Sequence, residues 1–133
     1  MIHKRFYQKY PQDPAVRSSY VKTLESIKQR ADQTFERNDL ATAGFIYEAL
    51  SKSIPSATPL AQSLSFDREG LIKKTGSCQK ILFQNGLEQY RSGNLNQAVS
   101  IWKGILAFDP EDQETKKAVD MAVLQIKNLD RAK

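Results

Sequence analysis

Residues 82–110 read LFQNGLEQYRSGNLNQAVSIWKGILAFDP, two apolar periodicities on either side of a glycine turn. Leu82, Gly86 and Tyr90 recur every four residues, which places them on one face of a helix. Ser92-Gly93-Asn94 then stops that helix, because glycine and asparagine accept the left-handed geometry of a helix C-terminus. Leu95, Ala98, Trp102 and Ile105 form the apolar face of a second helix, closed by Asp109-Pro110. Two amphipathic helices joined by so short a turn fold back on each other as a hairpin.

The same design stands 55 residues earlier, between Ile27 and Pro55. That shift pairs Ile27 with Leu82, Ala31 with Gly86, Phe35 with Tyr90, and Asn38 with Gly93. It goes on to pair Leu40 with Leu95, Ala43 with Ala98, Tyr47 with Trp102, Leu50 with Ile105, and Pro55 with Pro110. Large and small residues alternate in the same order in both copies, as stacked hairpins require when a small residue on one helix admits a bulky one from its neighbour.

Upstream, Val16, Tyr20, Leu24, Ile27, Ala31 and Phe35 share one helical face, with Asp13 as N-cap and Pro14 at the first helical position. The matching helix of the second copy starts after Ser65-Phe66-Asp67 and carries Leu71 and Cys78 on its apolar face. Thr75-Gly76-Ser77 is expected to break or bend it. Between the hairpins Ser56-Ala57-Thr58-Pro59 opens a connector, where Thr58-Pro59 can cap one short turn. Val119, Ala122, Val123, Ile126 and Leu129 mark a last amphipathic helix, with Lys127, Arg131 and Lys133 near its negative end. Period-two alternation is not sustained anywhere, so strands are not expected. The expectation is one all-α domain over 1–133, with hairpins at about 14–55 and 66–110, a connector at 56–65 and a capping helix at about 111–131.

These residues resemble the tetratricopeptide family, whose repeat of about 34 residues is a helical hairpin with small residues at fixed close-approach points. Gly86 and Ala98 fall on the family's small positions, Tyr90 and Trp102 on its aromatic positions, Gly93 on the turn and Pro110 on the terminating proline. Ala31, Phe35, Ala43, Tyr47 and Pro55 take those roles in the first copy. The copies are 55 residues apart rather than about 34, because both first helices extend towards their N-termini. The resemblance implies an α-α superhelix whose C-terminal helix covers the last repeat. It also implies that Phe6-Tyr7-Gln8-Lys9-Tyr10-Pro11 is the tail of a preceding repeat's second helix.

Composition narrows the function. The 40% hydrophobic and 26% charged content is that of an ordinary globular chain, and no apolar run reaches the roughly 18 to 20 residues of a membrane span. Met1-Ile2-His3-Lys4-Arg5 leads into no apolar signal core. A cytoplasmic location is expected if Met1 is the native start, and a periplasmic or membrane-anchored parent if a leader has been removed. One cysteine, Cys78, and one histidine, His3, offer no disulfide and no structural zinc set. Cys78 lies on an apolar face and reads as a small buried hydrophobe. Net charge is +5, with cations interspersed among acids, which is the pattern of a solvated helical surface rather than a nucleic-acid footprint. Lys4, Arg5, Phe6, Tyr7, Lys9 and Tyr10 could stack on single-stranded nucleic acid, but packing of a repeat tail explains the same residues.

No phosphate loop, nucleophile elbow or metal-ligand pair is legible, so neither an enzyme nor a cofactor is expected. Asp67, Glu69, Asp109, Glu111 and Asp112 stand where helices start and read as cap and dipole residues. In the family the first helices line a concave groove. The corresponding positions are Lys28, Asp32, Phe35 and Glu36 in one hairpin, and Lys80, Phe83, Leu87, Tyr90 and Arg91 in the other. Phe83, Leu87 and Tyr90 make an apolar stripe at i, i+4, i+7 flanked by Lys80 and Arg91. Lys28, Lys80, Phe83, Leu87, Tyr90 and Arg91 are therefore the candidate groove for a protein or peptide partner. Family members that grip a chaperone's C-terminal carboxylate use a lysine and an asparagine. Lys28 stands at the first position, but Asp32 at the second would repel a carboxylate. The expected function is a non-catalytic interaction or scaffolding module. The alternative is a capping or dimerisation domain of a larger repeat protein, its groove filled by its own chain. A homo-oligomer is compatible with either.

Overall fold

The computed structural model describes residues 13–55 and 58–132, so His3 and the expected repeat tail at 6–11 lie outside the described residues. Among these residues there are helices and turns and no strand. The helices are α1 (Pro14–Glu36), α2 (Leu40–Ser53), α3 (Pro59–Gln62), α4 (Arg68–Arg91), α5 (Leu95–Phe108) and α6 (Gln113–Ala132). The chain is all-α.

Local chemistry sets the helix ends. The Asp13 carboxylate accepts from the Ala15 and Val16 amides at 2.9 and 3.4 Å, with Pro14 following as the first helical residue. Asp39 accepts from the Thr42 amide, Thr58 from Ala61, and Asp67 from Gly70 at 2.7 Å. The turns closing α1 and α4 are built alike. Asn38 and Gly93 both take positive φ, 66° and 84°. The Asp39 amide reaches back to Thr34 O at 3.1 Å, and the Asn94 amide to Gln89 O at 2.8 Å. The Asn38 and Gly93 amides likewise bond Phe35 O and Tyr90 O at 2.9 and 3.1 Å. The 55-residue repeat is therefore a repeat of backbone hydrogen bonds as well as of side chains.

α1 packs on α2 and α4 on α5, giving the two hairpins. α2 packs on both α4 and α5, so the second helix of one hairpin joins the two, and α6 closes the far side of α5. One apolar core runs through all of them, from Tyr20 and Leu24 through Tyr47, Leu71, Cys78 and Trp102 to Val119 and Ala122. Two bare helix surfaces let the layers approach. A Cβ on Gly86 would stand 2.2 Å from the Trp102 Nε1, and one on Gly44 would stand 2.7 Å from the Phe108 ring.

α4 runs unbroken through Thr75-Gly76-Ser77, where a break or bend is expected from sequence. The hydroxyls of Thr75 and Ser77 bond back to Leu71 O and Lys73 O at 3.0 and 3.1 Å, within their own helix. Gly76 meets open space, so its only cost is propensity, and the buried Leu71, Thr75 and Cys78 hold both sides of it. At the end of α6, Leu129 is 58% exposed although it continues the apolar face. The reason is length, since 20 residues of α6 lie along only 14 of α5.

The end of α2 and the connector are fastened to α1. Leu60 is fully buried, the Tyr20 hydroxyl donates to Ser53 O at 3.0 Å, and the Glu25 carboxylate accepts from the Ser65 amide and hydroxyl at 2.7 to 2.8 Å. The N-terminal half of α1 thus holds the segment that lengthens the repeat.

Replacing Gly86 by leucine is expected to lower unfolding free energy by about 1–3 kcal/mol or more, since it drives a side chain into Trp102, and Ala98→Leu by about 1–3 kcal/mol. Urea unfolding followed by circular dichroism measures both, and unchanged midpoints would contradict this packing.

Candidate functional site

Trp102 organises the candidate groove. It is 1% exposed and its indole N–H donates to Phe83 O at 3.2 Å. On it lie Phe83, with ring centroids 5.7 Å apart in a stacked arrangement, and Tyr90, at 6.0 Å and tilted. Phe83, Leu87 and Tyr90 are half-buried, each packed inward on the core with its outer side in solvent. Lys80 and Arg91 are exposed on either end of this stripe.

A shallow groove of about 300 Å³ is lined by Gly76, Gln79, Lys80, Phe83 and Gln84 of α4 with Asp112 and Glu114 opposite; of the candidates it takes in Lys80 and Phe83, while Leu87, Tyr90 and Arg91 continue the stripe outside its lining. Asp112 and Glu114 are groove residues that the sequence reading misses. Gln79 supplies the reason Asp112 arrives there. Its amide donates to Asp109 Oδ2 at 3.2 Å and to Asp112 Oδ2 at 2.8 Å, and Asp112 also accepts from the buried Thr115 hydroxyl. These bonds tie the α5–α6 turn to α4. The Asp112 carbonyl accepts from the Lys116 amide at 3.0 Å, so Asp112 also begins α6. A glutamine on a solvated helix face carries no sequence signal for a bond to carboxylates 30 and 33 positions away.

Lys28 is placed apart from the other candidates. It lines a second groove, of about 460 Å³, with Leu64, Phe66, Gly70 and Lys74. Its ammonium pairs with Asp32 Oδ2 at 2.7 Å and sits 5.6 Å from the Phe66 ring centre. The other Asp32 oxygen accepts from the Tyr47 hydroxyl at 2.5 Å. Partial burial alone would raise the Asp32 carboxyl. The hydrogen bonds from Lys28 and Tyr47, with the charges of Lys28 and Lys74, outweigh that and hold it below its ordinary value. Burial, reinforced by the bond to Asp32, pushes the Tyr47 phenol well up. Lys74 covers the Phe35 ring at 4.5 Å. The equivalent surface of the first hairpin is thus occupied by the Lys28–Asp32 pair and covered by Phe66 and by Lys74 of α4.

Cys78 is fully buried, and that burial pushes its thiol up to about 11 against a weaker opposing pull from Lys74. A thiol held that high is protonated at neutral pH and a poor nucleophile. Among the described residues no group of three or more His, Cys, Asp or Glu is placed to hold a metal ion, and no helix is long and apolar enough to cross a membrane. The chain matches no protein-family model, no curated protein and no solved structure.

Two outcomes follow from these groups. Native protein at pH 7 is expected to react with a thiol reagent far more slowly than protein unfolded in guanidinium; equal rates would place Cys78 at the surface. Because the folded Asp32 value lies below the unfolded one, near 3.9, its stabilisation is full above that value and is lost as pH falls through the folded one. Asp32→Asn is therefore expected to be less stable than the parent at pH 7. The gap should narrow below about pH 4, read from urea midpoints across that range.

Proposed function

We propose that the protein is a non-catalytic interaction module, with tetratricopeptide-like hairpins, that docks a peptide or protein segment on the groove of its second hairpin. The observation that carries this reading is the stripe of Phe83, Leu87 and Tyr90. It is half-exposed, yet each aromatic ring is fixed against Trp102. Rings already held in place lose little conformational freedom when a ligand covers them, so apolar contact there converts efficiently into affinity. Such rigid aromatic positions are the ones that dominate binding energy at interfaces. Lys80 and Arg91 bracket the stripe with exposed positive charge, which favours a segment whose apolar residues are flanked by acidic ones.

Selection of displayed peptides on the immobilised protein tests the reading and is expected to enrich apolar segments with acidic flanks. Tyr90→Ala should weaken the selected peptides by about 1–2 kcal/mol at any salt concentration, as loss of an aromatic anchor does. Arg91→Glu should mainly slow association, with an effect that shrinks as ionic strength rises above roughly 0.15 M. Circular dichroism establishes first that both variants are folded. Wild-type affinity and rate in both folded variants would move the binding site away from this groove.

A further inference from the structure

α6 carries a second apolar face. Thr115, Val119 and Ala122 are buried against the core, while Met121 and Leu124, turned away from it, are 61% and 58% exposed. They belong to an outward stripe, Glu114, Lys117, Met121, Leu124, Asn128 and Arg131, spaced alternately three and four residues apart. That spacing is the one by which two helices pack side by side in a coiled coil. Every member of the stripe is exposed, and neither Glu114 nor Arg131 belongs to an ion pair among the described residues.

We infer that this stripe is the seam of an antiparallel homodimer, in which α6 of one copy lies along α6 of another about a two-fold axis passing between Ala122 and Val123. The charges select both the occupant and its direction. With the axis there, Met121 faces the partner's Leu124, Lys117 faces the partner's Asn128, and Glu114 faces the partner's Arg131; each contact occurs twice, as an isologous interface requires. A parallel pair in register would set Glu114 against the partner's Glu114, with Lys117 and Arg131 likewise facing their own kind, and would align the two helix dipoles. Only the antiparallel pair gives an apolar centre with an opposite-charge contact at each end. α6 is 20 residues, about 30 Å, so the seam is long enough to hold all six positions. One helix pair with four large apolar side chains at its centre stands at the small end of specific interfaces, so the dimer is weak and concentration-dependent.

Sedimentation equilibrium of the full chain from about 10 µM to 1 mM, a window spanning weak association, is expected to show a monomer–dimer equilibrium. Leu124→Glu, at an exposed position that leaves the fold intact by circular dichroism, should weaken it at least about tenfold, because each dimer then carries two unpaired carboxylates at its apolar centre. Glu114→Arg and Arg131→Glu should each weaken self-association by about three- to tenfold, since each sets like charges opposite one another. An equimolar mixture of those two variants should associate about as well as the parent protein, because the heterodimer restores opposite charges at both ends. A protein that stays monomeric at about 1 mM, or a dimer that tolerates Leu124→Glu, overturns the proposal. A mixture no stronger than its components overturns the antiparallel register. Glu114 stands at the edge of both the seam and the α4 groove, whereas Leu124 lines only the seam, so Leu124→Glu separates the two: it should lose self-association while the α4 groove retains its peptides.

Discussion

The contact between Trp102 and the bare backbone at Gly86 is the constraint on which the second hairpin depends. The indole fills the space a side chain on Gly86 would occupy, which brings α5 close to α4 and lets the indole N–H reach Phe83 O. Burial of so large a ring is among the strongest single contributions in a core this size, since truncating a buried aromatic costs about 3–5 kcal/mol. The hydrogen bond matters because an indole N–H buried without a partner would cost about 1–3 kcal/mol. Phe83 and Tyr90 then have one surface to rest on. Their placement at the candidate site follows from how the core is closed, without a separate binding-site architecture.

The first hairpin solves the same packing problem with other residues, and the difference explains why the two surfaces are unequal. Ala31 replaces Gly86 and Tyr47 replaces Trp102, a smaller ring against a larger neighbour, and Phe35 meets Tyr47 edge-on at 6.4 Å where Tyr90 meets Trp102. A tyrosine hydroxyl in that place needs an acceptor, and Asp32 supplies it. Asp32 in turn draws in Lys28, so a polar chain of Tyr47, Asp32 and Lys28 stands where the second hairpin has an open aromatic stripe. Lys74 and Phe66 close over what remains.

Much of this was legible because it is local or periodic. Asn38 and Gly93 announced themselves as helix stops by their tolerance of positive φ, Asp13 and Asp67 as caps by their spacing to the first helical turn, and Ala31, Gly86 and Ala98 as close-approach points by their place in the repeat. The stripe of Phe83, Leu87 and Tyr90 could be read from spacing alone. What could not be read are pairings between distant positions that share no period. The Glu25 carboxylate on Ser65, Gln79 on Asp109 and Asp112, and Phe108 over Gly44 are of this kind. Thr75-Gly76-Ser77 misleads for a related reason. A weak helix segment survives when buried neighbours on both sides pay its propensity cost, and burial is a tertiary fact.

The same division explains the extra length of the repeat. A hairpin needs only its two helices and a turn, yet both first helices here run 23 or 24 residues against 14 for their partners. In α1 the added turns have a visible task, since the Tyr20 hydroxyl donates to Ser53 O and the Glu25 carboxylate accepts from Ser65. In α4 they carry Leu71 and Thr75 into the core beside α2. The two first helices meet little along their backbones, and the Lys74 ammonium of α4 over the Phe35 ring of α1 is a side-chain contact between them. Stacking is carried by α2 against both α4 and α5, with Gly44 of α2 admitting the Phe108 ring of α5.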